Sequence, residues 1–480
     1  MAGNSKSRRK KKRPPAVVRH TAKGGAATTS PGPPPRVEGV LWPPIFTGGK
    51  TSHLLMQVQY EISQWWEPER ILFHQLAQLR SVMVHAAKTT SFYKDRLEPA
   101  LDYSLGRGLD LSTFRKIPIL TRSEFQDAGN SINSTAIPAS HGAPYDIRTS
   151  GSTGEPLALK ATDVTATYQM AMNLRYHLWH RRDFSQKLLA FRAMKPGEPA
   201  RRVVPSWGPV VNAGKSISVS MAQPGSALLE VMKAEDPGYL VVHPSVLNEL
   251  LYLSREQGFR PANLKEVLTL GEILYPELRE RCQRQWNVQV IDNYSCVEFG
   301  SLALQCPEHS HYHMQSECAL IEVLRPDNTP CEPGEVGKVV ASSLSNFATP
   351  MLRYENGDMA EMGESCPCGR GLPVLKRIIG RVRNMAVLPN GERLMLNLAT
   401  GSWLFDLPIK HFQLVQKTTE LIEARLVVDR ALTTAEETTL MEYFNKGWRH
   451  QFNFSFAYPD DIARGANGKY EVFRCEVPLE

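Results

Sequence analysis

The sequence predicts an α/β protein, with a large multilayer N-terminal domain and a small mobile α+β C-terminal domain. Three observations predict this. The chain has 480 residues of which 42% are hydrophobic, enough for two or more domains. Short β-rich runs alternate with helical patterns through its middle, and each strand of such a pattern must be covered by a helix. After about residue 380 the character changes to strand, helix and strand units. The predicted domains are therefore 51–380 and 381–480.

The individual elements follow in order along the chain. One or two long helices are expected within 60–97, where apolar residues recur at helical spacing. A short apolar run then precedes Thr121, and Ser123 is predicted to cap the following helix. In the last hundred residues a helix is expected to begin near Thr433. Four β-rich runs predict strands of the large domain: 239–243, 266–272, 288–294 and 338–342.

The positive charge of the chain is confined to its N-terminal end. The formal net charge is +7, but ten of the 56 Lys and Arg residues lie within 1–37, which holds no acidic residue. The rest of the chain carries 46 basic and 49 acidic residues, a net charge of −3. The basic and Pro/Gly-rich tail, 1–50, has a composition that predicts disorder. A near-neutral body predicts no specific nucleic-acid partner, although polyanion binding by the tail is an open alternative.

Targeting signals and cysteine usage bear on the compartment. No apolar segment follows the basic cluster as in a secretory signal, and no apolar run of about 18 residues predicts a membrane span. A cytoplasmic protein is therefore expected. Eight cysteines in 480 residues are too few for a disulfide scaffold. Most of them lie within 296–368, close to histidines, a pattern typical of metal binding.

A run of hydroxyl residues and glycines is the first candidate site. Such residues can turn tightly and present backbone N–H groups to a triphosphate, and Lys160 would add positive charge. The Gly-Lys-Ser/Thr ending of a Walker loop is absent. Alone, such a run is more often a flexible loop, so its interpretation as a phosphate loop depends on the motifs that follow. Its members are Thr149, Ser150, Gly151, Ser152, Thr153 and Gly154.

The run and the short motifs that follow it along the chain resemble, in residue type and in order, those of the adenylate-forming ligases. The similarity is specifically to the branch of phenylacetate-coenzyme A ligase and the CapK-like proteins. The resemblance extends from about residue 70 to the end. It implies that 149–154 is the phosphate loop, that Gly271 and Glu272 lie beside the acyl pocket and adenine, and that 292–300 is the adenine-stacking motif. It also implies that four further residues contact the nucleotide: Asn293, Tyr294, Asp358 (both ribose hydroxyls) and Arg381 (ribose or phosphate).

The same resemblance implies the catalytic groups. Lys469 would bridge the substrate carboxylate and the α-phosphate, and Glu298 would hold Mg²⁺. Both would reduce the repulsion between the carboxylate and ATP, which are both anions. The chain departs from the family at Val297, where a hydroxyl residue is usual, and after Arg381 in the hinge, where Arg383 and Asn384 replace a common aspartate. A pseudoenzyme that binds nucleotide is an open alternative.

A second group of residues is typical of a tetrahedral metal site. Thiolates and imidazoles suit Zn²⁺, and some relatives in this branch carry a similar structural zinc. His311 or His309 are substitutes for the histidine ligand, and ordinary buried cysteines are the alternative. Because these residues bracket Asp358 in sequence, the zinc is expected to brace the nucleotide side. The implied ligands are Cys306, His313, Cys366 and Cys368.

The function that the resemblance implies is adenylation of a carboxylic acid, possibly an aryl acid, by ATP and Mg²⁺, followed by acyl transfer to coenzyme A. An amine, a hydroxyl or a carrier-protein thiol is an alternative acceptor. The segment 174–211 is expected to line part of the acyl pocket, but its residues fit an aryl and a polar acid equally well. A homodimer is common in this branch.

Overall fold

The computed structural model of the protein describes residues 37–42, 52–104, 108–149, 156–194, 197–207, 214–381, 385–394, 396, 407–446, 448, 450–463 and 470–477. Short 3-10 helices lie at Gly129–Ile132 and Ala139–His141. The α-helices are α1 (Ser52–Ser63), α2 (Pro68–Thr89), α3 (Glu98–Ser104), α4 (Leu111–Phe114), α5 (Arg122–Ala128), α6 (Asp163–Trp179), α7 (Gly225–Glu235), α8 (Pro244–Glu256), α9 (Pro276–Trp286) and α10 (Thr434–Lys446).

The strands form one large sheet and smaller ones. They are β1 (Tyr145–Arg148), β2 (Ala158–Ala161), β3 (Leu188–Arg192), β4 (Arg201–Val204), β5 (Ser216–Ser220), β6 (Tyr239–Val242), β7 (Glu266–Leu270), β8 (Gln289–Cys296), β9 (Gly300–Gln305), β10 (Tyr312–Met314), β11 (Ala319–Leu324), β12 (Val336–Ser343), β13 (Tyr354–Met362), β14 (Val374–Arg381), β15 (Ala386–Val387), β16 (Arg393–Leu394), β17 (Ile409–Gln416), β18 (Leu421–Val428), β19 (Asn453–Ala457) and β20 (Phe473–Cys475).

The large sheet joins a parallel half to an antiparallel half. Its order is β11-β12-β13-β14-β10-β9-β8-β7-β6-β3-β5-β4. Neighbours from β5 to β8 run parallel, and neighbours from β8 to β11 run antiparallel. The parallel strands are apolar because helices cover them, with α7, α8 and α9 contributing to one core. The mixed α/β class is confirmed, and the four predicted strands are β6, β7, β8 and β12, with ends within two residues of the prediction.

The first helices confirm the predicted helical opening. The pattern within 60–97 is divided between α1, which begins earlier at Ser52, and α2. Pro68 is the first residue of α2, where its missing N–H removes no intrahelical hydrogen bond. No helix of the described part combines the length and the apolar content needed to cross a membrane.

A fully buried ion pair fixes α1 against α6. Nη1 and Nη2 of Arg175 donate to the two carboxylate oxygens of Glu317 at 2.9 and 2.8 Å, and neither side chain is exposed. Arg175 also donates to Gln315 Oε1 and to the carbonyl of Tyr60. Ser63 Oγ donates to Glu317 at 2.6 Å. Because buried charges need such a complete set of partners, these contacts hold α6 in register beside the sheet.

The cap of α5 differs from the prediction. Thr121, not Ser123, is the N-cap residue: its Oγ1 accepts from the N–H of Glu124, and the Glu124 carboxylate accepts from the N–H of Thr121. Ser123 lies inside the helix. The prediction was wrong because it placed the helix start after Ser123, whereas the capping box starts the helix at Arg122.

Replacing Thr121 with alanine is expected to lower the free energy of unfolding by about 1 kcal/mol, the usual contribution of an N-cap hydroxyl. Urea denaturation followed by circular dichroism measures it. Ser123→Ala is the matched control, because this exposed hydroxyl only contacts Thr121 Oγ1 at 3.2 Å. Equal effects of the two substitutions would contradict the capping role of Thr121.

The C-terminal region has a sheet and a core of its own. Its four strands run in the order β19-β18-β17-β20, and α10 packs on them. The core combines Leu414, Ile422 and Leu426 of the strands with Leu440 and Phe444 of α10. The helix predicted near Thr433 is α10, and the α+β character expected for this region is confirmed.

Candidate active site

The hairpin of β1 and β2 carries the run predicted to bind phosphate. Thr149 extends the strand pairing: its N–H donates to the carbonyl of Leu157 at 2.9 Å, and its Oγ1 accepts from the N–H of Leu157 at 2.8 Å. The Thr149 hydroxyl therefore closes the base of the loop. The other members of the predicted phosphate loop lie outside the described residues: Ser150, Gly151, Ser152, Thr153 and Gly154.

The base of this loop is held by the segment that follows β12. The N–H of Lys160 donates to Thr349 Oγ1 at 2.8 Å, and Asn346 Nδ2 donates to the carbonyl of Lys160 at 2.9 Å. Thr349 Oγ1 in turn donates to Asn133 Oδ1 at 2.5 Å. These contacts fix β2 against the segment that follows β12.

Gly271 and Glu272 lie at the carboxyl edge of the parallel strands, where open α/β sheets bind ligands. Gly271 follows β7 with φ of +80°, a conformation that costs glycine nothing. The Glu272 carboxylate, only 8% exposed, accepts from the N–H and Oγ of Ser245 at 2.9 and 3.1 Å and from the N–H of Tyr470 at 2.7 Å. His243 Nδ1 lies 3.4 Å away.

These partners determine the charge of Glu272. Burial alone would raise its pKa, but the hydrogen bond and charge of His243, with the N–H groups of Tyr470 and Ser245, hold the pKa below its ordinary value. The carboxylate is therefore ionised at neutral pH and surrounded by protein donors. The adenine contact predicted for Glu272 stays a prediction.

Three of the predicted nucleotide residues meet in one hydrogen-bonded cluster. Asp358 on β13 and Arg381 on β14 are cross-strand partners, with Arg381 Nε 3.3 Å from Asp358 Oδ1. The hydroxyl of Tyr294 donates to Asp358 Oδ2 at 2.9 Å. Asn356 Nδ2 donates to both the Tyr294 hydroxyl and Asp358 Oδ2, at 2.8 and 3.1 Å. Burial holds the pKa of Tyr294 well above its usual value, so its hydroxyl keeps the proton it donates.

Asn293 is a further polar group without a complete set of partners. Its Nδ2 donates to Ser301 Oγ at 3.1 Å. Its Oδ1 is buried and accepts no hydrogen bond within the described ranges of the chain. A buried acceptor of this kind normally bonds to a ligand or an ordered water. Asn293 lies within β8, one residue before Tyr294.

Glu298 lies in the turn between β8 and β9. It lines a small cavity together with residues of α6, among them Thr165 and Gln169. The neighbouring thiol of Cys296 is half-buried, and burial together with the charge of Glu298 raises its pKa well above the ordinary value. The thiol is therefore protonated and a poor nucleophile. Val297, which stands where the family has a hydroxyl residue, is 45% exposed.

The four predicted metal ligands converge. Cys306 Sγ and Cys366 Sγ are 3.9 Å apart, Cys368 Sγ is 3.5 Å from His313 Nε2, and all four ligand atoms lie within 4.8 Å of one another. Ligand atoms around a tetrahedral zinc with Zn–S distances of about 2.3 Å are separated by about 3.8 Å. The described geometry therefore fits this ion.

The histidine of this group is oriented by the backbone. His313 Nδ1 lies 3.3 Å from the carbonyl of Leu372 and donates to it, which leaves Nε2 as the ligand atom. Burial lowers the pKa of His313 to about 4, so the imidazole is neutral at pH 7. His309 and His311 stack on each other with ring centroids 5.2 Å apart, and among the described residues His313 completes the four-atom group.

The position of this cluster corrects one expectation. Cys366 and Cys368 lie at the tip of the β13–β14 hairpin, whereas Asp358 and Arg381 pair near its other end. The metal would not brace the nucleotide side directly. Instead the tip contacts the junction of α1 and α2, where Arg370 Nε donates to Gln64 Oε1 at 2.9 Å and the N–H of Gly371 donates to the Gln64 carbonyl.

Some predicted residues lie outside the described part of the chain, and some candidate residues were not predicted by any motif. Lys469 lies outside the described residues, as do Arg383 and Asn384 of the hinge. Asn356 was missed, although it stands two residues before Asp358 in the same motif. Ser245 and His243 follow β6 and carry no motif, so only the fold associates them with Glu272.

Comparison with known proteins bears on this arrangement. Residues 389–474 match the CapK C-terminal domain. Two phenylacetate-coenzyme A ligases are similar in sequence: that of Thermus thermophilus is 27% identical over 210 residues, 42% of this chain and 47% of that one. That of Pseudomonas putida is 25% identical over 174 residues, 33% of this chain and 37% of that one. In sequence the chain is therefore similar to phenylacetate-coenzyme A ligases, and its C-terminal region is similar to the CapK C-terminal domain.

The similarity in fold covers more of the chain than the similarity in sequence. The chain spans about half the length, or less, of the curated relatives it matches. In fold it is similar to 2-hydroxyisobutyryl-CoA ligase in the postadenylation state, with a TM-score of 0.69 and 18% identity over 87% of this chain and 92% of that one. The thioesterification state of that ligase gives a TM-score of 0.54 at 18% identity over 84% of this chain and 89% of that one. At this identity the likeness establishes the adenylate-forming fold.

Proposed function

We propose that the protein is an ATP-dependent, AMP-forming ligase that adenylates a carboxylic acid and transfers the acyl group to coenzyme A. The observation that carries this proposal is the cluster of Tyr294, Asp358 and Arg381. A carboxylate that is 15% exposed and oriented by a tyrosine, an asparagine and an arginine is suited to accept hydrogen bonds from both hydroxyls of a ribose. The buried Oδ1 of Asn293, which accepts no hydrogen bond from the described residues, offers an acceptor to adenine.

Adenylation requires a carboxylate oxygen to attack the α-phosphorus of ATP while pyrophosphate leaves. The reactants are both anions, so the site must neutralise and align them. Backbone N–H groups of 149–154 and the ammonium of Lys469 would supply positive potential. Mg²⁺ commonly binds one or two carboxylates and keeps several waters, so the single carboxylate of Glu298, in the turn between β8 and β9, is a suitable ligand. Bound there, Mg²⁺ would offset the phosphate charge.

The second half-reaction transfers the acyl group from AMP to the sulfur of coenzyme A. In this proposal 51–380 holds the nucleotide, and 381–480 acts as a lid that reorients between the two half-reactions. The separate sheet of β17 to β20, with a core of its own, supports a body that can move as a unit. The CapK C-terminal match, 389–474, falls inside it.

Zinc bound by Cys306, His313, Cys366 and Cys368 would be structural. Four protein ligands complete a tetrahedral site and leave no position for substrate. The ion would close the tip of the β13–β14 hairpin and, through Arg370, hold the junction of α1 and α2.

A nucleotide-binding protein without ligase activity is the second candidate. The exposed Val297 favours it, because this side chain cannot donate the phosphate hydrogen bond of the usual hydroxyl residue. Such a protein would bind ATP and release no pyrophosphate.

Pyrophosphate release from ATP and Mg²⁺ across a panel of acids tests the proposal. The panel includes phenylacetate and 2-hydroxyisobutyrate, after the acids of the similar ligases, together with fatty acids. Release is expected with one class of acid and not with Lys469→Ala, and mass spectrometry should then detect the acyl-CoA. Nucleotide binding without release from any acid would favour the second candidate. Release without a thioester would point to another acceptor.

A further inference from the structure

Each sulfur of the Cys/His cluster accepts a hydrogen bond from an N–H group. The N–H of Glu308 donates to Cys306 Sγ at 3.5 Å, and the N–H of Cys368 donates to Cys366 Sγ at 3.4 Å. For the third sulfur a side chain is a donor, because Arg370 Nη1 lies 3.4 Å from Cys368 Sγ. The first two donors are neutral backbone groups, whereas Arg370 brings a full positive charge to the cluster.

The ligand set explains why a cation is needed beside these sulfurs. Cysteine binds zinc as a thiolate and histidine binds it as a neutral imidazole. Three thiolates against the two positive charges of Zn²⁺ would leave the loaded cluster with one net negative charge. Cys306 and Cys366 are only 1% and 6% exposed, and His313 is not exposed at all. A buried charge of this kind is costly unless an opposite charge and hydrogen bonds accompany it.

Arg370 is held beside the cluster by contacts on its other sides. Its side chain is 8% exposed, and its Nε donates to Gln64 Oε1 at 2.9 Å. The guanidinium carbon lies 4.6 Å from the ring centroids of both Trp65 and Trp179. A guanidinium group stacks on aromatic rings and keeps its charge when it is buried. The positive charge is therefore fixed next to Cys368.

Glu308 is a second anion near Arg370. Its Oε1 lies 4.0 Å from Arg370 Nη1, but the Glu308 side chain is 60% exposed. An exposed carboxylate is well hydrated, and ion pairs of this kind contribute little. The half-buried sulfur of Cys368 is closer to the guanidinium and less hydrated, so it is the stronger partner.

We propose that Arg370 is the counter-ion of the zinc–thiolate cluster. Its charge balances the net negative charge of the loaded site, and its N–H to Cys368 Sγ holds this sulfur in place as a ligand. Arg370 does not bind the metal and is a positioning residue. The inference rests on the proposed zinc site and does not depend on the ligase function.

Zinc affinity tests the proposal in two substitutions of Arg370. In Arg370→Gln, which removes the charge, competition with a chromophoric zinc chelator should give a Kd for zinc about 10- to 100-fold above the wild-type value, the usual effect of losing a group that orients a metal ligand. Arg370→Lys keeps the charge without the planar fork, so it should recover about a third or more of this loss on a logarithmic scale. Circular dichroism checks that both variants are folded.

Arg70→Gln is the matched control. Arg70 also stacks on a tryptophan of the α1–α2 junction, with its guanidinium carbon 3.9 Å from the ring centroid of Trp66. It takes no part in the hydrogen bonds to the three sulfurs given above. The Kd of Arg70→Gln for zinc should stay within about twofold of the wild-type value.

Cobalt-loaded protein gives a readout that a packing role of Arg370 would not change. Without the guanidinium, the thiolate of Cys368 carries more electron density. The thiolate-to-cobalt charge-transfer band of Arg370→Gln should therefore move to lower energy, while the d–d bands keep the pattern of a tetrahedral site. Arg70→Gln should give the wild-type spectrum.

The outcomes separate the metal site from the role of Arg370. A wild-type protein that binds neither zinc nor cobalt contradicts the metal site, and the inference with it. Zinc binding by the wild-type protein with an unchanged Kd in Arg370→Gln would overturn the inference alone. So would equal losses in Arg370→Gln and Arg370→Lys, an equal loss in Arg70→Gln, or an unchanged charge-transfer band. Each of these results would mean that Arg370 only packs the junction.

Discussion

Replacing Asp358 with alanine is expected to lower kcat/KM for ATP in pyrophosphate release by roughly 100- to 10,000-fold. In the proposed complex the carboxylate accepts from two ribose hydroxyls, and each hydrogen bond to a charged group contributes about 1.5–3 kcal/mol. A factor of ten corresponds to about 1.4 kcal/mol. The substitution also leaves Arg381 and Tyr294 without the acceptor that orients them. Initial rates over a range of ATP concentrations measure the loss.

A carboxylate on the same strand provides the control. Glu361 on β13 accepts from Lys376 and Arg377 of β14 at 2.7 and 2.5 Å, and both of those side chains are largely exposed. Glu361→Gln should keep kcat/KM within about threefold, because glutamine keeps an oxygen acceptor of the same shape and the partners of Glu361 are Lys376 and Arg377, not the Asp358 cluster. Wild-type kinetics in Asp358→Ala, or an equal loss in Glu361→Gln, would contradict the ribose role. Circular dichroism of each variant checks that it is folded.

Metal analysis of the purified protein is expected to find about one zinc per chain, and Cys366→Ser should lower this to near zero. Structural zinc contributes its binding free energy to folding. Loss of several kcal/mol in a chain of this size should lower Tm by roughly 5–10 °C. Mass spectrometry of the metal content and scanning calorimetry measure the two effects. Ligase activity measured well below the Tm should change little, because the cluster lies at the hairpin tip away from Asp358.

Cys475 provides the matched control for this substitution. Its thiol lies outside the ligand group and donates to Gln416 Oε1 at 3.2 Å. Cys475→Ser keeps a donor of similar shape and should leave the zinc content unchanged. A wild-type protein prepared without chelators that holds no zinc would rule out the metal site, and so would full zinc content in Cys366→Ser.

Much of the candidate site was predictable because its residues stand in compact motifs. Tyr294 and Asp358 were assigned to the nucleotide from short segments of sequence, and the fold brings them within a hydrogen bond. The ligand group with Cys306 and His313 was likewise implied by the resemblance, and its residue types suit zinc. Both predictions came from motifs shared with a known family, so residue identity within these motifs carries most of the information.

Other features depended on contacts between distant segments. Sequence gave no indication that Glu272 bonds to Tyr470, because the two belong to different domains and only their packing brings them together. The buried pair of Arg175 and Glu317 was also not anticipated, since charged residues on a helix are usually exposed. The cap at Thr121 was misplaced by two residues because several hydroxyl side chains compete for the role at a helix start.

By itself, the sequence determined the α/β class, the strands of the large domain, the family resemblance and the identity of the candidate ligands. The class and the strands follow from periodicity, and the candidate ligands follow from the family resemblance carried by short motifs; both are local properties of the chain. Only the tertiary structure decided that the Cys/His cluster lies at the hairpin tip, where Arg370 contacts the α1–α2 junction, and that Glu272 accepts a hydrogen bond from the N–H of Tyr470. Contacts of this kind are determined by how distant elements pack, because a hydrogen bond requires its two atoms to come within about 3 Å.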